Sequence, residues 1–249
     1  EISVRDWSSD VCSSDLATID LSSAPTMRAI VQDTYGEAAD VLRLEEIDRP
    51  EIGDDEVLLR VHAAGVDRGV WHIMAGLPYP IRLAGYGLRA PKTRVRGREV
   101  AGRVEAVGKN VTTLRVGAEV FGIGEGTFAD YAPARADKLA PMPKNLTAVQ
   151  AAAAGVSGLS ALQAVRDRGR VRPGQKVLVI GASGGVGTFA VQIAKAFGAE
   201  VTGVCRTSKV DLVRSLGADH VIDYTRDDIT AAAAFRSEER RVGKECRSR

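Results

Sequence analysis

Cysteine is scarce in this 249-residue chain: there are three, and two of them, Cys12 and Cys246, sit in polar end segments, leaving Cys205 alone in the interior. One interior cysteine cannot build a disulfide framework. Thiols left unpaired suit a reducing compartment, read here as the cytoplasm. Excess charge is lacking too, since 34 Lys and Arg oppose 32 Asp and Glu for a formal net charge of +2. So small a basic balance argues against a nucleic-acid partner. No uncharged apolar run reaches about 18 residues, which argues against a membrane span. Neither end has the pattern of a secretory signal. What remains, with 45% hydrophobic residues, is the composition of a globular protein of one or two domains.

The ends differ from the rest. Asp6–Leu16 and Arg236–Cys246 resemble sequencing-library adapter read in frame; the alternative is a disordered Ser/Asp leader and an Arg-rich tail. Residues 1–26 and 236–249 are therefore set apart from the fold, and Met27 is taken as the start of the interior.

The first part of the interior reads as β-rich. Strands are expected at Arg28–Val31, Leu42–Ile47, Glu56–Ala63, Gly102–Val107, Glu119–Ile123 and Phe128–Ala132, parted by turn signals such as Gly53-Asp54-Asp55 and Gly108-Lys109-Asn110. After Pro141–Thr147 the pattern changes. A helix is expected near Leu159–Arg168, and then strand and helix alternate: Val177–Ile180, Thr188–Phe197, Glu200–Val204, Ser208–Leu216 and His220–Ile222. Ser208 can cap the fourth of these and Gly217 can end it. Alternation of this kind predicts a parallel sheet with helices on its faces.

The most informative stretch is the turn Gly181-Ala182-Ser183-Gly184-Gly185-Val186-Gly187, which follows the apolar run Val177–Ile180 and opens a helix carrying Phe189, Ala190, Ile193, Ala194 and Phe197 on one face. Glycines leave no side chain in the way of a phosphate and allow a tight strand-to-helix turn. The helix start then presents main-chain N–H groups to a dinucleotide's diphosphate. A nucleoside-triphosphatase loop requires Gly-Lys-Ser/Thr; Val186-Gly187-Thr188 has no lysine.

At these residues the chain resembles the quinone oxidoreductase, or zeta-crystallin-like, branch of the medium-chain dehydrogenase/reductases. Gly174-Gln175, Leu178, Ala182-Ser183-Gly184-Gly185, Gly187, Gln192 and Lys195 fit that branch's signature. Ala63–Asp67, Glu99–Gly102 and Val104–Gly108 look like its β domain. The resemblance implies an α/β protein in which a GroES-like β-barrel domain, residues 27–150, precedes a truncated Rossmann parallel-sheet domain, residues 151–235, that binds NADP. Family members continue through three further strands after His220–Ile222, whereas here the likeness fades near Ile229–Phe235. It also implies a homodimer for the full-length parent.

Zinc-dependent relatives hold their metal with cysteine and histidine. Here Asp67 stands where the first such cysteine would be and Arg98 where the histidine would be, and residues 85–100 contain no cysteine. Arginine has no lone pair to give a metal, so the expectation is a site with no metal ligand set. Asp67, Trp71, His72 and Tyr79 lie on the segment that resembles the family's substrate-side loop. His72 or Tyr79 would donate a proton, Trp71 form an apolar wall and Asp67 orient a partner; each is equally readable as a surface or structural residue. Ser157 matches a family hydroxyl near the nicotinamide, or else caps its helix. No carboxylate follows the second strand, so Arg206 and Lys209 read as ligands of a 2′-phosphate, or as a solvated basic turn. Tyr224 matches a family position beside that phosphate.

The resulting expectation is a zinc-free, NADPH-dependent oxidoreductase passing hydride to a small quinone, enone or other carbonyl compound. Three alternatives stay open: a dinucleotide-binding module without turnover, an inactive fragment, and an alcohol dehydrogenase of the same superfamily.

Overall fold

The computed structural model describes residues 25–227 and the backbone of 240–242. Residues 1–24, 228–239 and 243–249, which hold most of the segments set apart above, lie outside the described residues. The chain forms a β-rich unit followed by alternating strands and helices.

The β-rich unit begins with β1 (Thr26–Val31), which pairs antiparallel with β2 (Arg43–Asp48) across the short helix α1 (Ala38–Val41). Its centre is β3 (Glu56–Gly65) against β4 (Glu99–Val107). Helix α2 (Arg68–Ala75) lies between them in sequence, and β5 (Glu119–Ile123), β6 (Tyr131–Arg135) and β7 (Leu139–Pro141) complete an antiparallel sheet of order β6-β3-β4-β5-β7. Alternating residues face one core, in which Val57, Leu59, Val100, Val104, Val120 and Ala134 pack together. That period-two burial is what a half-buried strand imposes. Strand β1 forms a separate two-stranded sheet with β2, held to the segments just before β6 and β4 by main-chain bonds from Ile30 N to Phe128 O (2.8 Å) and from the following Gln32 N to Arg94 O (2.8 Å).

Helix α3 (Ala148–Ala152) opens with a complete capping box, Thr147 accepting from Gln150 N while the Gln150 side chain accepts from Thr147 N. Its Ala151 and Ala152 pack on Ala101 of β4. Helix α4 (Gly155–Leu162) runs on as a π-helical turn over Gln163–Arg168. Strand β8 (Lys176–Ile180), helix α5 (Gly185–Ala196), strand β9 (Glu200–Cys205), helix α6 (Val210–Ser215) and strand β10 (His220–Asp223) follow. With β11 (Arg240–Val242) they make a parallel sheet of order β10-β9-β8-β11. The three central residues of β8, Val177, Leu178 and Val179, are all buried, the signature of a strand covered on both faces. Among the described residues no helix is long and apolar enough to cross a membrane.

Several expectations shift. The strand expected at Phe128–Ala132 forms at Tyr131–Arg135, because the ladder that pairs Glu56 with Arg135 and Arg60 with Tyr131 fixes its register. Helix α4 starts four residues before Leu159. Helix α5 starts at Gly185 instead of Thr188, taking in three glycine-turn residues. Ser208 does not cap α6: it lies inside a 3-10 turn, Thr207–Lys209, and Lys209 is the cap residue, without a side-chain bond. Gly217 does end the helix, in the left-handed region at φ +98°.

Leu59 is fully buried whereas Leu44 is 66% exposed. Leu59→Ala is therefore expected to cost about 2–5 kcal/mol of unfolding free energy, seen as a lower urea midpoint at unchanged slope. Leu44→Ala should change it by no more than about 0.5 kcal/mol.

Candidate functional site

The turn between β8 and α5 is built from main chain. Gly181 adopts φ +76°, and no atom lies within 4 Å of the place where its Cβ would be. Its N–H and that of Ala182 both donate to Val204 O, at 3.1 and 3.0 Å, tying the turn to β9. Gly184 N donates to Gly181 O at 2.9 Å, and Thr188 N is the first amide to find a helical acceptor, Gly184 O. The N–H groups of Gly185, Val186 and Gly187 thus belong to the first turn, where an α-helix supplies no partner, at the positive pole of its dipole. Gly187 is pressed against Gly181, so that a Cβ there would collide with the Gly181 carbonyl oxygen. Gly181, Gly184, Gly185 and Val186 are exposed, Ser183 is half-buried and Ala182 is buried beneath them. An open cradle of donors with no side chain across it fits a diphosphate.

Ser157 lies within α4 and is not its cap; Ala154 holds that position. The Ser157 Oγ sits 3.1 Å from where a Cβ on Gly185 would be, against the first residue of α5. Helix α4 is itself fixed from the other unit. Glu99, the first residue of β4 and only 2% exposed, accepts Val156 N–H on Oε1 at 2.6 Å, which places a carboxylate at the start of a helix. Burial pushes the Glu99 pKa above the ordinary glutamate range, and the nearby Asp67 carboxylate adds to the rise; the Val156 amide opposes it. This role was not legible in the sequence, because cap and helix are 57 residues apart.

Asp67 caps α2, its Oδ1 accepting from Val70 N at 3.0 Å, while its Oδ2 is buried without a hydrogen-bond partner. Trp71 and His72 follow on α2, their rings 5.0 Å apart and edge-on, with the Arg68 guanidinium 4.1 Å over the indole. His72 Nδ1 donates to Leu77 O at 2.7 Å, which leaves Nε2 as the free ring nitrogen. Tyr79 lies beyond the helix, 69% exposed. The structure thus keeps Asp67, Trp71 and His72 on one helix and puts Tyr79 on a separate exposed stretch. A cavity of about 400 Å³ adjoins the opposite side of α2, at Val70 and Ile73. None of the four residues lines it.

At the same C-terminal end of the parallel sheet, Arg206, Lys209 and Tyr224 stand at the tips of β9 and β10: Tyr224 N donates to Cys205 O at 3.1 Å and Lys209 N to Arg206 O at 2.9 Å. All three side chains are exposed. The neighbouring Asp223 also stands at this tip. Its oxygens accept from Thr207 Oγ1 at 2.6 Å and from Thr225 Oγ1 at 2.7 Å, and the Thr207 hydroxyl leads in holding its pKa below the usual range. With both oxygens engaged, Asp223 shapes the basic turn. Among the described residues no three His, Cys, Asp or Glu side chains are grouped to hold a metal.

Comparison with known proteins gives the following. Residues 53–144 match the alcohol dehydrogenase GroES-like domain, and residues 185–241 match the zinc-binding dehydrogenase model. Mouse mitochondrial NAD(P)H oxidoreductase RTN4IP1 is 36% identical over 217 residues, which is 80% of this chain and 54% of the relative. The quinone oxidoreductase of Coxiella burnetii superposes with a TM-score of 0.74 at 28% identity, covering 84% of this chain and 65% of the other. A mycobacterial structure complexed with NADPH superposes with a TM-score of 0.69 at 31% identity, covering 81% and 59%. The chain spans little more than half the length of the curated relatives it matches.

The buried Glu99 carboxyl generates a pH prediction. A raised folded-state pKa means stability that is complete below the unfolded-state value and lost as pH climbs through the folded-state one. Glu99→Gln keeps an acceptor for Val156 N–H but cannot ionise. Its stability relative to the unaltered chain should therefore improve as pH rises above the unfolded glutamate value of about 4 and level off once the folded carboxyl has ionised, measured by urea unfolding at increasing pH. A difference that stays flat, or runs the other way, contradicts the assignment.

Proposed function

Because the chain belongs to the medium-chain dehydrogenase/reductase superfamily, with quinone oxidoreductases among its relatives, we propose that the full-length protein is a zinc-free, NADPH-dependent reductase of quinones, enones or other carbonyl compounds. The observation that carries this reading is the bare main-chain cradle at Gly181–Gly187, where Gly187 packs so closely on Gly181 that no side chain fits. The domain division goes with it: residues 27–150 form the substrate side and 151–235 the cofactor side. A homodimer in a reducing compartment such as the cytoplasm completes the proposal, the second point supported by the single described cysteine, Cys205, which is free.

NADPH, when bound, supplies the hydride. The remaining work falls to this chain's own groups. The N–H groups of Gly185, Val186 and Gly187 receive the diphosphate, while Ala182 and Ser183 shape the turn. Arg206 and Lys209, with Tyr224 beside them, take the 2′-phosphate through charge-assisted bonds. Ser157, resting on Gly185, orients the nicotinamide side. Trp71 walls the acceptor. His72 through Nε2, or Tyr79 through its hydroxyl, delivers the proton that neutralises the reduced oxygen. The unpartnered Asp67 Oδ2 is available to orient that donor. Zinc is left out on donor chemistry: Arg98 offers no lone pair, and one oxygen of Asp67 is committed to its helix cap.

A second reading is a dinucleotide-binding module without turnover, since the glycine turn by itself supports binding and not chemistry. NADPH consumption by the full-length protein against a panel of quinones and enones separates the two: oxidation is expected, and tight NADPH binding with no oxidation by any acceptor selects the module. Stoichiometric zinc in the purified protein would return the alcohol dehydrogenase alternative. Arg206→Ala should weaken NADPH binding about 10- to 100-fold, the loss of one charge-assisted contact, and leave NADH binding unchanged. Equal losses for both cofactors would remove Arg206 from the phosphate site.

A further inference from the structure

The cavity of about 400 Å³ beside α2 contains a charge that nothing balances. Arg96, one of its lining residues, is only 4% exposed. Main-chain bonds from Phe128 N to Arg96 O and from Gly124 N to Arg98 O hold this wall in place. The Arg96 guanidinium has one hydrogen bond, from Nη2 to Thr93 Oγ1 at 2.9 Å. Its Nε is buried with no partner, and among the described residues Arg96 forms no ion pair. Thr127 Oγ1, which lies behind the lining residue Gly97, is also buried and unpartnered. Burial disfavours the charge and draws the Arg96 pKa down, yet a guanidinium stays protonated in a protein. An unpaired buried cation of this kind is costly unless something supplies the opposite charge.

The rest of the lining narrows what can do so. Lys92 and Arg98 add positive charge. Glu125 is the one acidic lining residue, and it is exposed and makes no ion pair among the described residues. Val70, Ile73 and Ile123 supply apolar wall. The volume falls within the range of small-molecule sites, and a guanidinium edge matches a planar carboxylate in two parallel bonds.

We propose that this cavity binds a small organic carboxylate, held at its charged end by Arg96 and along its body by Val70, Ile73 and Ile123. The site needs neither the glycine turn nor a nicotinamide, so it goes beyond the oxidoreductase reading and stands or falls apart from it.

Benzoate is the probe and benzamide its neutral counterpart, tested by thermal unfolding and titration calorimetry on the full chain. Benzoate should raise Tm in a concentration-dependent way and benzamide should not. Arg96→Met, which removes the unbalanced charge at similar length, should abolish the benzoate shift, leave the ligand-free Tm unchanged or higher, and leave NADPH binding unchanged. Arg96→Lys keeps the charge but not the fork, and should weaken benzoate binding by about tenfold or more; it decides the matter if Arg96→Met does not fold. No benzoate shift, an equal shift with benzamide or inorganic phosphate, or undiminished binding by Arg96→Lys overturns the proposal. NADPH binding in the same samples reports on the cofactor reading separately.

Discussion

The contact between Gly187 and the carbonyl of Gly181 governs the arrangement of the cofactor side. Main chain meets main chain there with no room for a Cβ, so strand β8 and helix α5 approach as closely as two backbones can. That approach turns the first amides of α5 outward instead of into a side-chain contact, and it seats Ala182 beneath the turn, where it is fully buried. Any residue other than glycine at position 187 would push the helix away from the strand. The dipole of α5 would then no longer be aimed at the space above the turn.

A second constraint links the two units. The β-rich unit and the parallel sheet meet where small residues allow backbones to come together: Gly65 lies against Glu99 and the Ala152 carbonyl, and Gly155 against the Gly122 carbonyl. Into this dry junction the chain places a carboxylate. Glu99 recovers part of its desolvation cost by accepting Val156 N–H, so the same side chain that strains the junction electrostatically also fixes where α4 begins. Ser157, one residue further on, is thereby set against Gly185. A chain of short contacts runs from β4 to the glycine turn, and the position of the turn relative to the β-rich unit follows from it.

What was legible in the sequence was local. The glycine turn and the buried strand before it follow from spacing within a dozen residues, whereas α5 begins three residues earlier than read and buries Val191 beside the expected Ala190 and Ala194. The strand near residue 130 slipped because its own alternation fits two registers, and only pairing with β3 chooses between them. Ser208 is a good cap residue by type, but the 3-10 turn at Thr207–Lys209 moved the helix start past it. Glu99, Asp223 and Arg96 were invisible for a common reason. Each is an ordinary charged residue in sequence, and its significance comes from burial or from a partner that is distant along the chain. Of the residues expected on the substrate side, Asp67 declares itself as a helix cap; the geometry of His72 is fixed by Leu77, a bond no periodicity announces.

Cys205 closes β9 at 1% exposure, with burial first among the causes that lift its thiol pKa. Quinones and enones are soft electrophiles that add to thiolates, and a thiol held protonated out of reach of solvent is a poor nucleophile. The one cysteine among the described residues sits immediately before Arg206, where alkylation would distort the basic turn. Under the proposed function, that shielding keeps the sulfur from the acceptors themselves.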